Sequence, residues 1–251
     1  DEDREKYDKV WANFGNVLKE GLLQAEDKDR ERLLGLLLAP SSQQNLTSLS
    51  EYASRMKEGQ EDIYYLVSAS VDAARRSPHL EAFEAKGYEV LFLTDNIDEL
   101  WLERDPRFEG KKLVSIGHGD IDLDEGETED AKKEKQEARE QKEKEISGLL
   151  TKLRAHLQDD VKEVRLSTRL TTSAVCLVGD TGDMSPQLEK LMGQLGRDVP
   201  KVKRILELNP EHPVVEKLER VHAEDAEDPR LKDYADLLYG QAVLAEGGQL
   251  P

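Results

Sequence analysis

Residues 63–67 read Ile-Tyr-Tyr-Leu-Val and residues 90–93 read Val-Leu-Phe-Leu. Both are short apolar runs rich in aromatic and β-branched side chains, and both read as buried strands. A helix pair is predicted between them. It is split near Ser77-Pro78, because proline suits a first helical turn, and Gly87 ends it. Residues 97–102 predict a further short helix and residues 113–116 a third strand. Strand, helix, strand in that order implies parallel pairing with helices covering the sheet. The first module therefore reads as a small three-layer αβα structure ending near residue 119.

Working outward, the N-terminal stretch is helical. Tyr7, Val10, Trp11, Phe14, Val17 and Leu18 recur at three- and four-residue spacing on one face, with Gly21 as the expected stop. A second helix is expected over 32–38, ending before Pro40. Residues 41–45 form a polar loop, and Ser50 is the expected cap of a short helix through Lys57, with Gly59 beyond its end. The chain opens on Asp1 inside a helical pattern, with no signal peptide, and reads as part of a longer polypeptide.

Residues 120–145 are different material: 18 of the 26 are charged, twelve acidic and six basic. Such a stretch cannot bury a core face. It reads as a charged linker over 120–142, with a solvated helix from Ala131 onward. Helical periodicity then returns at Ile146, Leu149, Leu150, Leu153 and Leu157. Residues 161–170 and 174–178 read as two strands, and the short connection predicts a hairpin. Ser185-Pro186 opens a helix closed by Gly196, and residues 202–208 give a third strand. Pro210 and Pro213 break that strand and start another helix. Pro229 starts the last one, which stops at Gly247-Gly248. The second module, 143–251, is an α+β domain with a three-stranded sheet and terminal helices.

Composition limits the function. The chain has 251 residues, 54 acidic against 36 basic, for a net charge of −18. A phosphate-backbone partner needs a basic footprint, so nucleic acid is not an expected partner. No apolar run approaches the roughly 18 residues a membrane span needs, so no membrane partner is expected. The single cysteine, Cys176, lies in the apolar run 174–178 and reads as a buried structural thiol, compatible with a reducing cytoplasm.

No catalytic constellation stands out. The five histidines are His79, His118, His156, His212 and His222, and none pairs with another at metal-ligand spacing. His79 and His212 sit beside prolines and read as structural; His118, between glycines, reads as an exposed loop residue. Asp120, Asp122 and Asp124 resemble a calcium loop, but Glu125 stands where glycine is required and Ala131 where glutamate is. Gly179 and Gly182 precede a helix, yet Asp180 and Asp183 would repel an anion there. No catalytic, cofactor or metal residue is expected.

Three apolar stripes carry more weight. Met184, Leu188, Leu191, Met192 and Leu195 recur at helical spacing, with Gln187, Glu189, Lys190 and Gln194 opposite. On spacing alone this is a half-buried core helix, although methionine and leucine also make an adaptable contact surface. Leu100 and Trp101, beside Asp98, Glu99 and Glu103, read as a core anchor. Leu231, Tyr234, Leu237, Leu238 and Leu244 stripe the last helix and can pack on their own domain.

Several stretches resemble one family. Residues 52–60 read Tyr-Ala-Ser-Arg-Met-Lys-Glu-Gly-Gln, followed by Ile-Tyr-Tyr-Leu at 63–66. Residues 77–81 read Ser-Pro-His-Leu-Glu, residues 87–91 Gly-Tyr-Glu-Val-Leu, and residues 204–213 Arg-Ile-Leu-Glu-Leu-Asn-Pro-Glu-His-Pro. These resemble signatures of the ninety-kilodalton heat-shock chaperones, in their bacterial type, over nearly the whole chain. The resemblance implies that residues 1–119 are the C-terminal part of a middle domain. It also implies that residues 143–251 are a C-terminal dimerisation domain, truncated before its last helix. The ATPase domain, with its ATP and magnesium, would lie outside this chain, which itself needs no cofactor. The implied partners are partly folded client proteins and a second copy of the chain, in the cytoplasm. Met184, Leu188, Leu191, Met192, Leu100 and Trp101 become expected client contacts. Leu231, Tyr234, Leu237, Leu238 and Leu244 become expected dimer contacts, since a half-exposed apolar bundle gains by burial against a two-fold mate. The rivals are a passive dimeric scaffold and a small α/β enzyme; the second would need a convergent polar cluster that the sequence does not offer.

Overall fold

The computed structural model describes residues 2–119, 121, 123, 129–197, 202–248 and 250. Asp120, Asp122 and Asp124 lie outside the described residues. The chain divides into two compact units. The first comprises residues 1–75, 87–116 and 187–197; the second comprises residues 76–86, 117–186 and 198–251. Both mix helices with small sheets.

In the first unit α1 (Glu2–Gln24) and α2 (Asp27–Leu34) precede β1 (Leu38–Ala39) and β2 (Thr47–Ser48), which pair antiparallel. Two expectations fail here. Gly21 does not stop α1, which runs on to Gln24, and the glycine faces Leu33 of α2. Nor does a helix run to Leu38: α2 ends at Leu34 with Gly35 as its cap, and Leu38–Ala39, ahead of Pro40, is extended.

The next helix, α3 (Leu49–Arg55), is capped by Ser48 and not by Ser50. Ser48 Oγ accepts from the Glu51 N–H at 3.2 Å, and Glu51 Oε2 accepts from the Ser48 N–H at 2.7 Å. Serine followed three residues later by glutamate makes a capping box, and Ser50 falls inside its first turn. Then come β3 (Ile63–Val67), α4 (Val71–Ala74), a 3-10 turn (Pro78–Leu80), α5 (Glu81–Lys86), β4 (Leu91–Leu93), α6 (Asn96–Leu102), β5 (Arg107–Phe108) and β6 (Lys111–Ser115). The 3-10 turn and α5 belong to the second unit.

The sheet of the first unit has the order β4-β3-β6-β5. β3 is parallel to both β4 and β6, while β5 and β6 form a hairpin. Its tip is Glu109-Gly110, with φ of 50° and 77°, a left-handed pair that suits the twist of a tight hairpin. The core gathers Leu22, Leu34, Tyr52, Ile63, Leu93 and Trp101. Tyr52 ties it together. Its hydroxyl donates to the Glu89 carbonyl at 2.6 Å and accepts from the Tyr64 N–H at 3.1 Å and Gln60 Nε2 at 3.0 Å.

The second unit continues with α7 (Glu129–Glu145), α8 (Ser147–His156), β7 (Val161–Leu166), β8 (Val175–Val178), α9 (Pro186–Gln194), β9 (Arg204–Leu208), α10 (Pro213–Glu224) and α11 (Arg230–Ala245). Residues 187–197 of α9 and its end group with the first unit. The predicted hairpin between β7 and β8 does not form. The order is β7-β9-β8, with β9 in the middle, parallel to β7 and antiparallel to β8.

Two physical reasons explain this. The 167–174 connection is too long for a two-residue hairpin turn. The central strand also carries Glu207, which needs cations from its flank. Glu207 Oε1 accepts from Arg165 Nη2 at 2.7 Å and Nε at 3.1 Å, and Oε2 accepts from Arg169 Nε at 3.2 Å and Ser167 Oγ at 2.8 Å. A buried carboxylate survives only with such partners. Leu149, Leu153, Leu206, Leu218, Leu231 and Leu238 anchor the core.

Candidate functional site

The sheet edge leads into α9. Arg204 Nη2 donates to the Met184 carbonyl at 3.1 Å, holding the approach to the helix. Pro186 occupies the first turn, where its missing N–H costs nothing. At the other end Gly196 adopts φ 72°, and the Arg197 N–H donates back to the Met192 carbonyl at 3.1 Å, closing the helix with a left-handed cap. The apolar stripe is covered unevenly. Leu188 is 3% exposed, Met184, Leu191 and Met192 are half-buried, and Leu195 is 66% exposed. The stripe therefore opens to solvent toward the C-terminal end.

In α6 the two neighbours separate. Trp101 is 1% exposed, and its Nε1 donates to Asp98 Oδ1 at 2.9 Å. Asp98 also receives Lys19 Nζ at 2.9 Å, and the same ammonium reaches Asp95 Oδ2 at 2.7 Å. Burial pushes the Asp98 carboxyl above its ordinary value, and the charge of Lys19 pulls against it. Trp101 is thus a core anchor within a polar network, and Leu100, half-buried, is the one with surface to offer.

The stripe on α11 also divides. Leu231 and Leu238 belong to the core, and Tyr234 packs against it with Lys217 Nζ 5.7 Å from its ring centre. Leu237 and Leu244 are 62% and 55% exposed. Seven residues apart, they lie on one helix face.

A model of the Hsp90 protein family matches residues 1–251. The chain belongs to the Hsp90 family. It is 52% identical over 250 residues to the chaperone protein HtpG of Frankia casuarinae, covering 99% of this chain and 38% of that relative. It is 50% identical over 246 residues to HtpG of Rhodococcus jostii, covering 97% and 38%. With HtpG of Mycobacterium tuberculosis it shares 48% identity over 251 residues, covering 98% and 38%. The chain thus spans well under half the length of these relatives.

Within this Hsp90-family chain His79 and His212 hold structure together. His79 is buried, with Nε2 2.7 Å from Glu246 Oε1, and His212 Nδ1 accepts from the Val214 N–H at 3.2 Å to cap α10. His118 departs from the exposed loop residue expected. It bridges to Gly179 in backbone pairing, and a β-carbon on Gly179 would meet its ring at 2.5 Å. Burial, reinforced by the charges of His79 and Arg204, pushes its imidazole down to about 4. Cys176 is fully buried, and burial with the neighbouring Glu207 raises its thiol well above the ordinary value. Among the described residues no group of three or more His, Cys, Asp or Glu is placed to hold a metal ion, and no helix is long and apolar enough to cross a membrane.

Exposed apolar side chains also stand outside the expected contact residues, at Leu195 and on α1. Leu195 is the last member of its stripe, and only its position at the helix end, next to Gly196, signals exposure. On α1 the expected single face splits: Trp11 packs against the core and Leu22 lies in it, whereas Val10, Phe14 and Val17 stand in solvent. Periodicity groups all of these together and does not tell which half is covered.

Proposed function

We propose that this chain is the client-binding and dimerisation part of an ATP-driven chaperone. Its first module, residues 1–119, serves as the C-terminal part of the middle domain. Residues 120–142 link it to the dimerisation domain at 143–251. The placement of the four-stranded sheet within residues 63–115 and the three-stranded sheet within 161–208 supports this division. Nucleotide and magnesium chemistry is assigned to the part of the full-length relatives that this chain does not span. The expected setting is the cytoplasm.

The observation that carries the reading is the α9 stripe, opening from buried Leu188 to exposed Leu195 in a chain of net charge −18. Binding partly folded chains needs no covalent chemistry. It needs an adaptable apolar patch, which Leu191, Met192 and Leu195 supply, while like charge keeps the molecules apart in solution. Leu100 is a second contact, held by the Trp101 anchor. Leu237 and Leu244 offer a face to a second copy, with Leu231, Tyr234 and Leu238 holding the helix that presents it.

The test is suppression of aggregation of a partly unfolded protein by L191S/M192S/L195S against wild type. The variant is expected to fold normally and to lose protection. Equal protection by both proteins would favour the passive scaffold and sink the client assignment. L188S serves as the contrast: burial of Leu188 predicts that it loses stability.

A further inference from the structure

A cavity of about 420 Å³ in the first unit is lined by Arg30, Glu31, Arg104, Asp105, Pro106, Arg107 and Gly110. Three arginines and two acidic residues line this one hollow, a local excess of positive charge in a chain whose acidic residues outnumber its basic ones by 54 to 36. The two acids in the lining are already engaged. Asp105 pairs with Lys112 Nζ at 3.0 Å, and Glu31 Oε1 accepts the Glu109 N–H at 3.2 Å. Arg30 is anchored by Nη2 to the Ala25 carbonyl at 2.9 Å.

Arg104 and Arg107 differ. Among the described residues their guanidinium groups have no hydrogen-bond or ion-pair partner, whereas Arg4, Arg55, Arg165, Arg169 and Arg230 all pair with carboxylates. Their backbone is held in place. Arg104 follows α6, with its N–H on the Trp101 carbonyl at 3.3 Å. Arg107 opens the β5–β6 hairpin, where it stands opposite Lys112. The intervening Asp105 takes φ 49° and Pro106 is buried.

We propose that this cavity binds a phosphoryl group, with Arg104 and Arg107 as its ligands and Arg30 lending charge. A lone carboxylate has two oxygens and one charge, which a single guanidinium fork satisfies. A phosphoryl group carries about −1.5 to −2 charge on three acceptor oxygens, which matches two unpaired guanidinium groups. The repulsive net charge of the whole chain is screened beyond about 8 Å at physiological salt, so local donors decide the binding. This site shares no residue with the proposed client surface.

The test is calorimetric titration of the 251-residue chain with three probes: inorganic pyrophosphate, a phosphoserine peptide, and the same peptide unphosphorylated. Wild type is compared with R104Q/R107Q and with R76Q/R154Q, which removes the same charge from exposed arginines elsewhere. R104Q/R107Q is expected to weaken binding about tenfold or more, as loss of charge-assisted bonds requires, while R76Q/R154Q binds like wild type. Pyrophosphate binding alone points to a free anion, and phosphopeptide binding to a phosphorylated protein. No binding by wild type overturns the proposal. So does equal weakening in both variants, or binding of the unphosphorylated peptide as tight as that of the phosphorylated one.

Discussion

Replacing Glu207 with alanine is expected to cost the second unit about 3–5 kcal/mol, the range for removing one partner of a buried charge pair. Glu207 is 1% exposed on the central strand of its sheet, and its two oxygens accept from Arg165, Arg169 and Ser167. Truncation removes the one carboxylate on which Arg165 and the buried Arg169 converge, while the bond from Arg169 Nη2 to the Gly119 carbonyl at 2.7 Å remains. A neighbouring water can relieve Arg165 more readily than Arg169, because Arg165 is the more exposed of the two. At about 2–4 °C per kcal/mol for a domain of this size, the melting temperature should fall by about 6–20 °C. Thermal and urea unfolding followed by circular dichroism measure it. The triple replacement R165M/R169M/E207M should recover most of the loss, since apolar side chains of similar volume often substitute for a buried ion cluster without penalty. A loss under about 1 kcal/mol for E207A, the size of a typical surface substitution, would refute the claim that this carboxylate holds the sheet order.

Two further outcomes are expected. Tyr52→Phe removes the hydroxyl that accepts from the Tyr64 N–H and Gln60 Nε2 in a buried site, and should cost about 1–3 kcal/mol in the same unfolding assay. The His118 imidazole is held near 4 in the fold against an ordinary 6.5, so the unfolded chain takes up a proton between those values that the fold refuses. Stability from this group is therefore complete above about 6.5 and declines as pH falls toward 4. At about 1.4 kcal/mol per tenfold change in proton affinity the ceiling is about 3 kcal/mol, reduced by partial exposure to about 1–2. His118→Gln should flatten that part of the stability–pH curve, and an unchanged slope would remove His118 as its source.

Much of the fold was legible in the chain. The strands at 63–67 and 91–93 formed where apolar, β-branched and aromatic residues run together, and their parallel pairing followed from the helices between them. Helix starts at Pro186 and Pro213 followed from proline chemistry, and the family was readable from motifs spread over the chain. Boundaries were less legible. Ser48 and Ser50 both stand near the start of a helix, and the reciprocal bonds with Glu51 make Ser48 its cap.

What the sequence by itself determined is which residues share a face, because helical and strand periods are local properties of the backbone. What only the tertiary structure decided is which part of each face is covered. Trp101 and Leu100 are adjacent, yet the Lys19–Asp98 network draws only the indole into the core. Leu238 and Leu237 are adjacent on α11, and one is core while the other stands in solvent. Val10, Phe14 and Val17 share the apolar character of Trp11 but face outward. The placement of β9 between β7 and β8 was equally invisible, because it depends on pairing Glu207 with arginines about forty residues away. Such coverage and pairing are settled by residues distant in the chain, and no local pattern records them.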